Sequence, residues 1–255
     1  MRTLALLLLC SLAACGDARK IRELTQQRGA ALEAKLKELR ALRAAVDQAP
    51  PVQQAGFRDA TVTPRFPFEP GYDALVIHAE RLADLRGASV PVTIEKHCSP
   101  AELAELLETG SWPGLSNVKI VESAMDGLMR LRYVLVLRSR GSRPFRKLDE
   151  QRFEPALFLG DALLFDLSKK ELLGSFPLTV PGSPHFVVKQ RRRGPVVVGE
   201  DVSRIAATNL WARGVCSIHS WMRQLLPRAV PPYQSTAKNG FCERTLADLR
   251  KDLRR

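Results

Sequence analysis

The chain has 255 residues, of which 45% are hydrophobic and 26% are charged. This composition is ordinary for a globular domain, and the longest apolar stretch of the body, Tyr133–Leu137, is closed by Arg132 and Arg138, so a body that spans the membrane is excluded. The net charge of +12 calls for either an anionic partner or a well-solvated basic surface.

The N-terminus has the features of an export signal. A short basic start at Arg2 is followed by an apolar run from Leu4 to Leu12, which is too short to cross a bilayer as a helix. The next residues, Ala13-Ala14-Cys15-Gly16, place two small side chains before a cysteine. Together with Leu12 they resemble the lipobox of bacterial lipoproteins. We therefore expect residues 1–14 to be a signal peptide.

The resemblance implies that Cys15 is lipidated and becomes the mature N-terminus. A lipid bilayer would then be the first partner, and the body would face the periplasm or the cell exterior. Gly16 after the cysteine favours the outer membrane over the inner one. The alternatives are an ordinary signal peptide cut near the same small residues, or an anchor that is retained.

This compartment decides how the positive charge is interpreted. Outside the cytoplasm the charge indicates anionic lipids or polymers, or other envelope proteins, and not nucleic acid. The alternative is a basic surface that is simply solvated.

The first organised element is a helix over Arg19–Gln48, because apolar residues recur there at intervals of three and four until Pro50 and Pro51. We interpret residues 15–50 as the lipidated N-terminus followed by a helical stalk or coiled coil. The alternative is that the apolar stripe packs on the protein's own domain. The proline-interrupted residues 51–71 are predicted to be a linker.

Residues 72–255 are predicted to form an α+β domain, an antiparallel sheet packed with helices on one side. Helices are predicted over 73–85, 99–110, 201–226 (kinked or broken) and 243–253. Strands are predicted over 90–95, 118–122, 130–138, 156–166, 172–180 and 186–189.

Three cysteines remain in the body, and an oxidising compartment favours a disulfide between two of them. We expect Cys216 to pair with Cys242, with Cys98 as the third cysteine. The alternative is a metal site that joins Cys98 and its neighbour His97 to Cys216 and His219. That spacing is common in proteins, so no metal is predicted.

The most concentrated charge is the run of Lys189, Arg191, Arg192 and Arg193. We expect a surface turn there that either is solvated or contacts anionic lipid or polymer.

No catalytic residue and no cofactor are predicted, because the chain has no nucleophile elbow, zinc-protease helix, phosphate loop or dinucleotide fingerprint. Ser116 and Lys119 have the spacing of penicillin-recognising enzymes, but β-branched residues follow where that family has a helix. The sequence favours a non-catalytic envelope lipoprotein that serves as an interaction or structural component. The alternative is a membrane-tethered hydrolase with a dispersed site.

Overall fold

A computed structural model describes residues 2–58, 61–66, 73–83, 85, 100–110, 118–148, 153–183, 190–193, 196–199, 202–229 and 241–252, with the backbone alone for 2–16, 101, 147, 153, 190–193, 196–199, 202–205, 207, 211, 241 and 249–252. The helices are α1 (Arg2–Gln48), α2 (Ala79–Ala83), α3 (Pro100–Thr109), α4 (Val118–Arg130), α5 (Val202–Leu225) and α6 (Phe241–Asp252). The strands are β1 (Gly56–Phe57), β2 (Ala74–His78), β3 (Tyr133–Arg143), β4 (Arg146–Lys147), β5 (Phe153–Glu154), β6 (Leu157–Asp166), β7 (Glu171–Pro181), β8 (Gln190–Arg193) and β9 (Val196–Gly199).

The predicted α+β class is confirmed. Five strands form one sheet in the order β1-β7-β6-β3-β2, and two further pairs, β4-β5 and β8-β9, form small ribbons. The sheet is antiparallel except for β2, which runs parallel to β3. The chain between these two parallel strands includes α2, α3 and α4, as a parallel crossover requires a long connection.

Helices cover both faces of the sheet, whereas the sequence predicted one packed side. On one face Val134, Val136 and Leu163 pack with α1, α2, α3 and α4. On the other face Leu135 and Leu164 pack with α5. Every residue of Tyr133–Leu137 is consequently buried, because both sides of the strand face a helix layer.

The prediction of a separate stalk is wrong, because α1 belongs to the core. Six of its apolar side chains are at most 3% exposed and lie in one cluster with α2, α3 and α4: Ile21, Leu32, Leu36, Leu39, Leu42 and Val46. Arg28 adds ion pairs with Glu122 and Asp126 of α4. The alternative interpretation, in which the apolar stripe packs on the protein's own domain, is the correct one.

The predicted linker is also part of the fold where it is described. Val52 is buried in the cluster around α1, and Phe66 is 1% exposed on the opposite face of the sheet. Phe57 in β1 packs so tightly on β7 that a Cβ at Gly174 would lie 2.4 Å from its ring. The segment therefore extends the sheet by one short strand.

Several elements of the structure differ from the prediction in type or bounds. The strand expected over 118–122 is the start of α4, and the helix expected over 73–85 is β2 followed by α2. The kinked or broken helix is the continuous α5. The helix expected after Ser99 is confirmed as α3, and Gly110, with a φ of 69°, lies at its C-terminal end, where a left-handed residue is favoured. The strands predicted over 90–95 and 186–189 lie outside the described residues.

In the described part of the chain, no helix has the length and apolar character needed to cross a membrane.

Candidate interaction surface

Strand β3 ends in a basic extension that is exposed over most of its length. We call residues 138–147 the basic arm; they contain five basic residues and no acidic one, in the order Arg138, Arg140, Arg143, Arg146 and Lys147. Strand β2 pairs with β3 only as far as Leu137, so the arm begins where the parallel pairing ends. Residues 139–144 are all exposed, in contrast to the buried first half of the strand.

The base of the arm is fixed by a buried carboxylate. Asp161 of β6 is fully buried and accepts hydrogen bonds from Arg138 Nη2 at 2.7 Å and Arg140 Nη1 at 3.2 Å. A buried carboxylate is stable only when it is paired in this way, because leaving water costs several kcal/mol. The single carboxylate of Asp161 thus offsets one unit of the positive charge that Arg138 and Arg140 carry together.

Arg138 also caps the C-terminal end of α1. The last carbonyl oxygens of a helix have no partner within the helix, and a guanidinium group can satisfy several of them at once. Arg138 donates to the carbonyl oxygens of Val46 (2.8 Å), Ala49 (2.5 Å) and Pro50 (2.9 Å). One side chain thus joins the end of α1 to the centre of the sheet.

The outer part of the arm carries the charge available to a partner. Arg143 and Arg146 are exposed and form no ion pair with any described residue. Arg146 lies opposite Glu154 in the β4–β5 ribbon, which is the acidic position closest to it in register. Arginine suits carboxylate or phosphate ligands, because its planar group can form two parallel hydrogen bonds.

The run predicted to bind anions lies on a different ribbon. Arg191, Arg192 and Arg193 belong to β8, which pairs with β9, so the expected turn is a strand; Lys189 lies outside the described residues. Strand β7 ends at Pro181, which pairs with Leu157 of β6, itself paired with Arg143. The chain therefore leaves for β8 from the same end of the sheet as the basic arm.

The structure brings two of the three body cysteines together. Cys216 of α5 and Cys242 of α6 form a disulfide, which ties the last helix to its neighbour. Cys98 lies outside the described residues. The metal alternative is wrong for Cys216, because its sulfur is bonded to Cys242. Among the described residues, no group of three or more metal-ligating side chains occurs.

An open groove of about 620 Å³ lies between α1 and α3. Its floor includes Gly29, Leu36 and Leu107, and its walls carry arginine and glutamate side chains, so the groove favours neither sign of charge: Arg22, Arg40, Glu33 and Glu108. Gly29 allows the two helices to approach, since a Cβ there would lie 3.5 Å from Leu107.

Burial lowers the pKa of two histidines. Burial lowers the pKa of His78, an effect that Glu80 opposes and Arg81 reinforces, and the Nε2 atom of His78 has no hydrogen-bond partner. Burial, together with the nearby Arg223, also lowers the pKa of His219. In the described part of the chain neither imidazole hydrogen-bonds to a hydroxyl or thiol group, the contact by which a histidine activates a nucleophile.

Sequence reasoning missed the basic arm. The signal was present, since Arg138, Arg140, Arg143 and Arg146 recur within nine residues, but the strand was predicted to stop at Arg138. The charges beyond it consequently looked like part of a loop.

Cys15 lies within α1, in the stretch for which the backbone alone is described. The comparison of the chain with protein-family models, with curated proteins and with solved structures found no match.

Proposed function

We propose that this chain is a non-catalytic lipoprotein of the bacterial envelope, anchored through a lipid on Cys15, and that its basic arm binds an anionic partner. The anchor rests on the residues Leu12-Ala13-Ala14-Cys15 and on the apolar run before them. The binding role rests on the exposed, positively charged end of β3.

The structural observation that supports the proposal is that α1 continues from the lipobox-like residues into the core. Cys15 and the first buried residue, Ile21, lie on one unbroken helix. Six residues of helix span about 9 Å, at 1.5 Å per residue. A lipid on Cys15 would therefore hold the folded body close to the bilayer, and no stalk would separate the two.

The same helix separates the anchor from the basic arm. Arg138 binds the carbonyl oxygen of Val46, 31 residues after Cys15. That number of helical residues spans about 46 Å, which is more than the hydrocarbon thickness of a bilayer, about 30 Å. When α1 stands upright on the membrane, the arm faces away from the lipids that hold the anchor and meets other components of the envelope.

Lipid attachment is tested by metabolic labelling with a fatty-acid analogue in cells that express the full chain. We expect labelling of the wild type and its loss in Cys15→Ser. The matched control is Cys10→Ser, which removes the other cysteine of the same N-terminal segment and should leave the labelling unchanged. Equal labelling of the wild type and Cys15→Ser would contradict the proposal.

Attachment to the membrane is tested separately by washing isolated membranes with high salt. A lipid anchor resists the wash, whereas purely electrostatic binding is screened within a Debye length of about 3 Å at 1 M salt. We expect the wild type in the membrane fraction after the wash. A chain that begins at Gly16 and is exported behind an ordinary cleavable signal should be outside it, whereas Cys15→Ser keeps the apolar run Leu4–Leu12 and is no control for this assay. Release of the wild type would show that charge alone holds the protein on the membrane.

A further inference from the structure

We propose that the free edge of β3 accepts an extended acidic segment of another envelope protein as an additional strand. We call residues 138–143 the open edge. The inference rests on the proposed function, since it names the partner of the basic arm, but it needs no lipid and can be tested apart from the anchor.

The open edge has a strand on one side only. Strand β6 pairs with β3 along its whole length, from Tyr133 to Arg143. On the other side β2 stops at His78, opposite Leu137, and among the described residues no strand continues beside the open edge. Unpaired strand edges present backbone donors and acceptors in the pattern that another strand requires.

The pairing along β3 identifies the backbone groups that face outwards. At the start of β3, Arg132 and Tyr133 both donate their N–H groups to the carbonyl oxygen of Asp73 on the β2 side, while the carbonyl oxygen of Arg132 accepts from Leu167 on the β6 side. Regular pairing begins at Tyr133, whose backbone groups therefore face β2. Successive residues of a strand alternate between its two neighbours. By this alternation the backbone N–H and C=O groups of Ser139 face the open edge.

A β-bulge in β3, between Ser139 and Gly141, shifts that alternation by one residue. Ser139 pairs with Gly160 and Gly141 with Leu159, which leaves one extra residue, Arg140, between them. Beyond Arg140, the backbone N–H and C=O groups of Ser142 face the open edge. Two serine positions, both exposed, thus offer N–H and C=O groups to an incoming strand.

The charges around the open edge select the kind of strand. A second copy of this chain would place arginine against arginine, and like charges opposite each other destabilise a strand pair. Carboxylate side chains would instead meet Arg143 and Arg146, which form no ion pair with any described residue. The edge therefore fits an extended segment with acidic side chains.

The test measures binding of the full chain in nonionic detergent to fluorescent ten-residue peptides, by anisotropy. One probe alternates Thr and Glu, which favour an extended strand with five carboxylates. The second alternates Pro and Glu; it has the same charge but lacks a backbone N–H at every second position and cannot complete a ladder. We expect the first probe to bind at least about tenfold more tightly, a difference of about 1.4 kcal/mol.

Two pairs of variants separate charge from strand addition. Arg143→Gln with Arg146→Gln should weaken the Thr-Glu probe at least about tenfold and flatten its salt dependence. The matched control is Arg223→Gln with Arg228→Gln, two exposed arginines outside the arm, and should leave binding unchanged.

The second pair acts at the edge itself. Ser142→Pro removes one outward N–H, a change that edge strands tolerate, so we expect lost binding at an unchanged unfolding midpoint. Ser142→Ala keeps the N–H and should bind as the wild type does.

Three results would overturn the inference. Equal binding of the two probes would show that charge alone attracts them. Full binding by Ser142→Pro would show that the open edge does not pair. Vesicle binding that requires anionic lipids, is lost in Arg143→Gln with Arg146→Gln and is unaffected by excess Thr-Glu probe would make the arm a membrane contact. None of these results bears on fatty-acid labelling at Cys15, so the two proposals can fail separately.

Discussion

Replacement of Leu39 by alanine tests whether α1 is part of the folded core. Leu39 is completely buried in the cluster that α1 forms with α2, α3 and α4. Loss of a buried leucine removes its transfer free energy and leaves a cavity, which together cost about 2–5 kcal/mol. The matched control is Lys37→Ala, two residues earlier on the exposed side of the same helix, where a change within about 0.5 kcal/mol is expected.

The measurement is urea unfolding monitored by circular dichroism. The free energies of unfolding are compared with one shared value for their dependence on urea concentration. In a chain of this size each kcal/mol also lowers the melting temperature by about 2–4 °C. Leu39→Ala should therefore melt well below both the wild type and Lys37→Ala. If the two variants agree within about 0.5 kcal/mol, α1 does not contribute to the core as described.

Deletion of residues 19–48 tests the same point on a larger scale. A separate stalk could be removed without harm, but this segment contains six buried apolar side chains. Burial contributes about 1.5–3 kcal/mol for each large one, so their sum is on the order of 10 kcal/mol. Whole domains are stable by only about 5–15 kcal/mol. The shortened chain is consequently expected not to fold, and a cooperative unfolding transition in it would refute this reasoning.

Three further predictions concern single sites. Asp161→Asn leaves Arg138 beside a neutral partner and should cost about 3–5 kcal/mol in urea unfolding. Reduction of Cys216–Cys242, which closes a loop across 26 residues, should cost about 3 kcal/mol; Cys216→Ala should melt at the same temperature with and without reductant. The pKa of His78 is lowered in the folded state, so the unfolded chain takes up the proton first: stability is complete above about pH 6.5 and is lost as the pH falls. His78→Gln should flatten this loss in melting curves between about pH 5 and pH 7, and an unchanged pH dependence would show that His78 does not contribute to it.

The sequence predicts the elements whose local signals agree with one another. For α3 the cap, the first-turn proline and the terminal glycine all point to the same helix. The sequence also favoured the Cys216–Cys242 pair, because the two cysteines flank the proline-rich residues 227–232.

Errors arose where one pattern fits two structures. Val118, Ile120 and Val121 have the β-branched composition of a strand. Helical spacing is shown by Val121, Ala124, Met125 and Leu128, and these residues are buried where α4 packs on α1. The segment is therefore a helix. Leu75 and Ala79 are four residues apart, as in a helix, but five consecutive buried residues make this segment a strand covered on both faces. Tertiary packing decides such cases, and no short window contains it.

The basic arm was beyond sequence reasoning for a different reason. Its boundary depends on where β2 ends, and its unneutralised charge depends on Asp161 reaching Arg138 and Arg140 but not Arg143. Both facts concern segments distant in the chain. Composition alone gives the sum of the charges and not their pairing.

The contacts of α1 also set an order of events for folding. Arg28 bonds to Asp126, 98 residues later, and Val46 is capped by Arg138, 92 residues later. Contacts between such distant residues form slowly, because a long loop must close before they contribute. In a chain that is synthesised N-terminus first, α1 would form early and wait for β3 and α4. Although it comes first in the chain, this helix is therefore expected to be among the last elements to be fixed in place, with its apolar stripe uncovered in the interval.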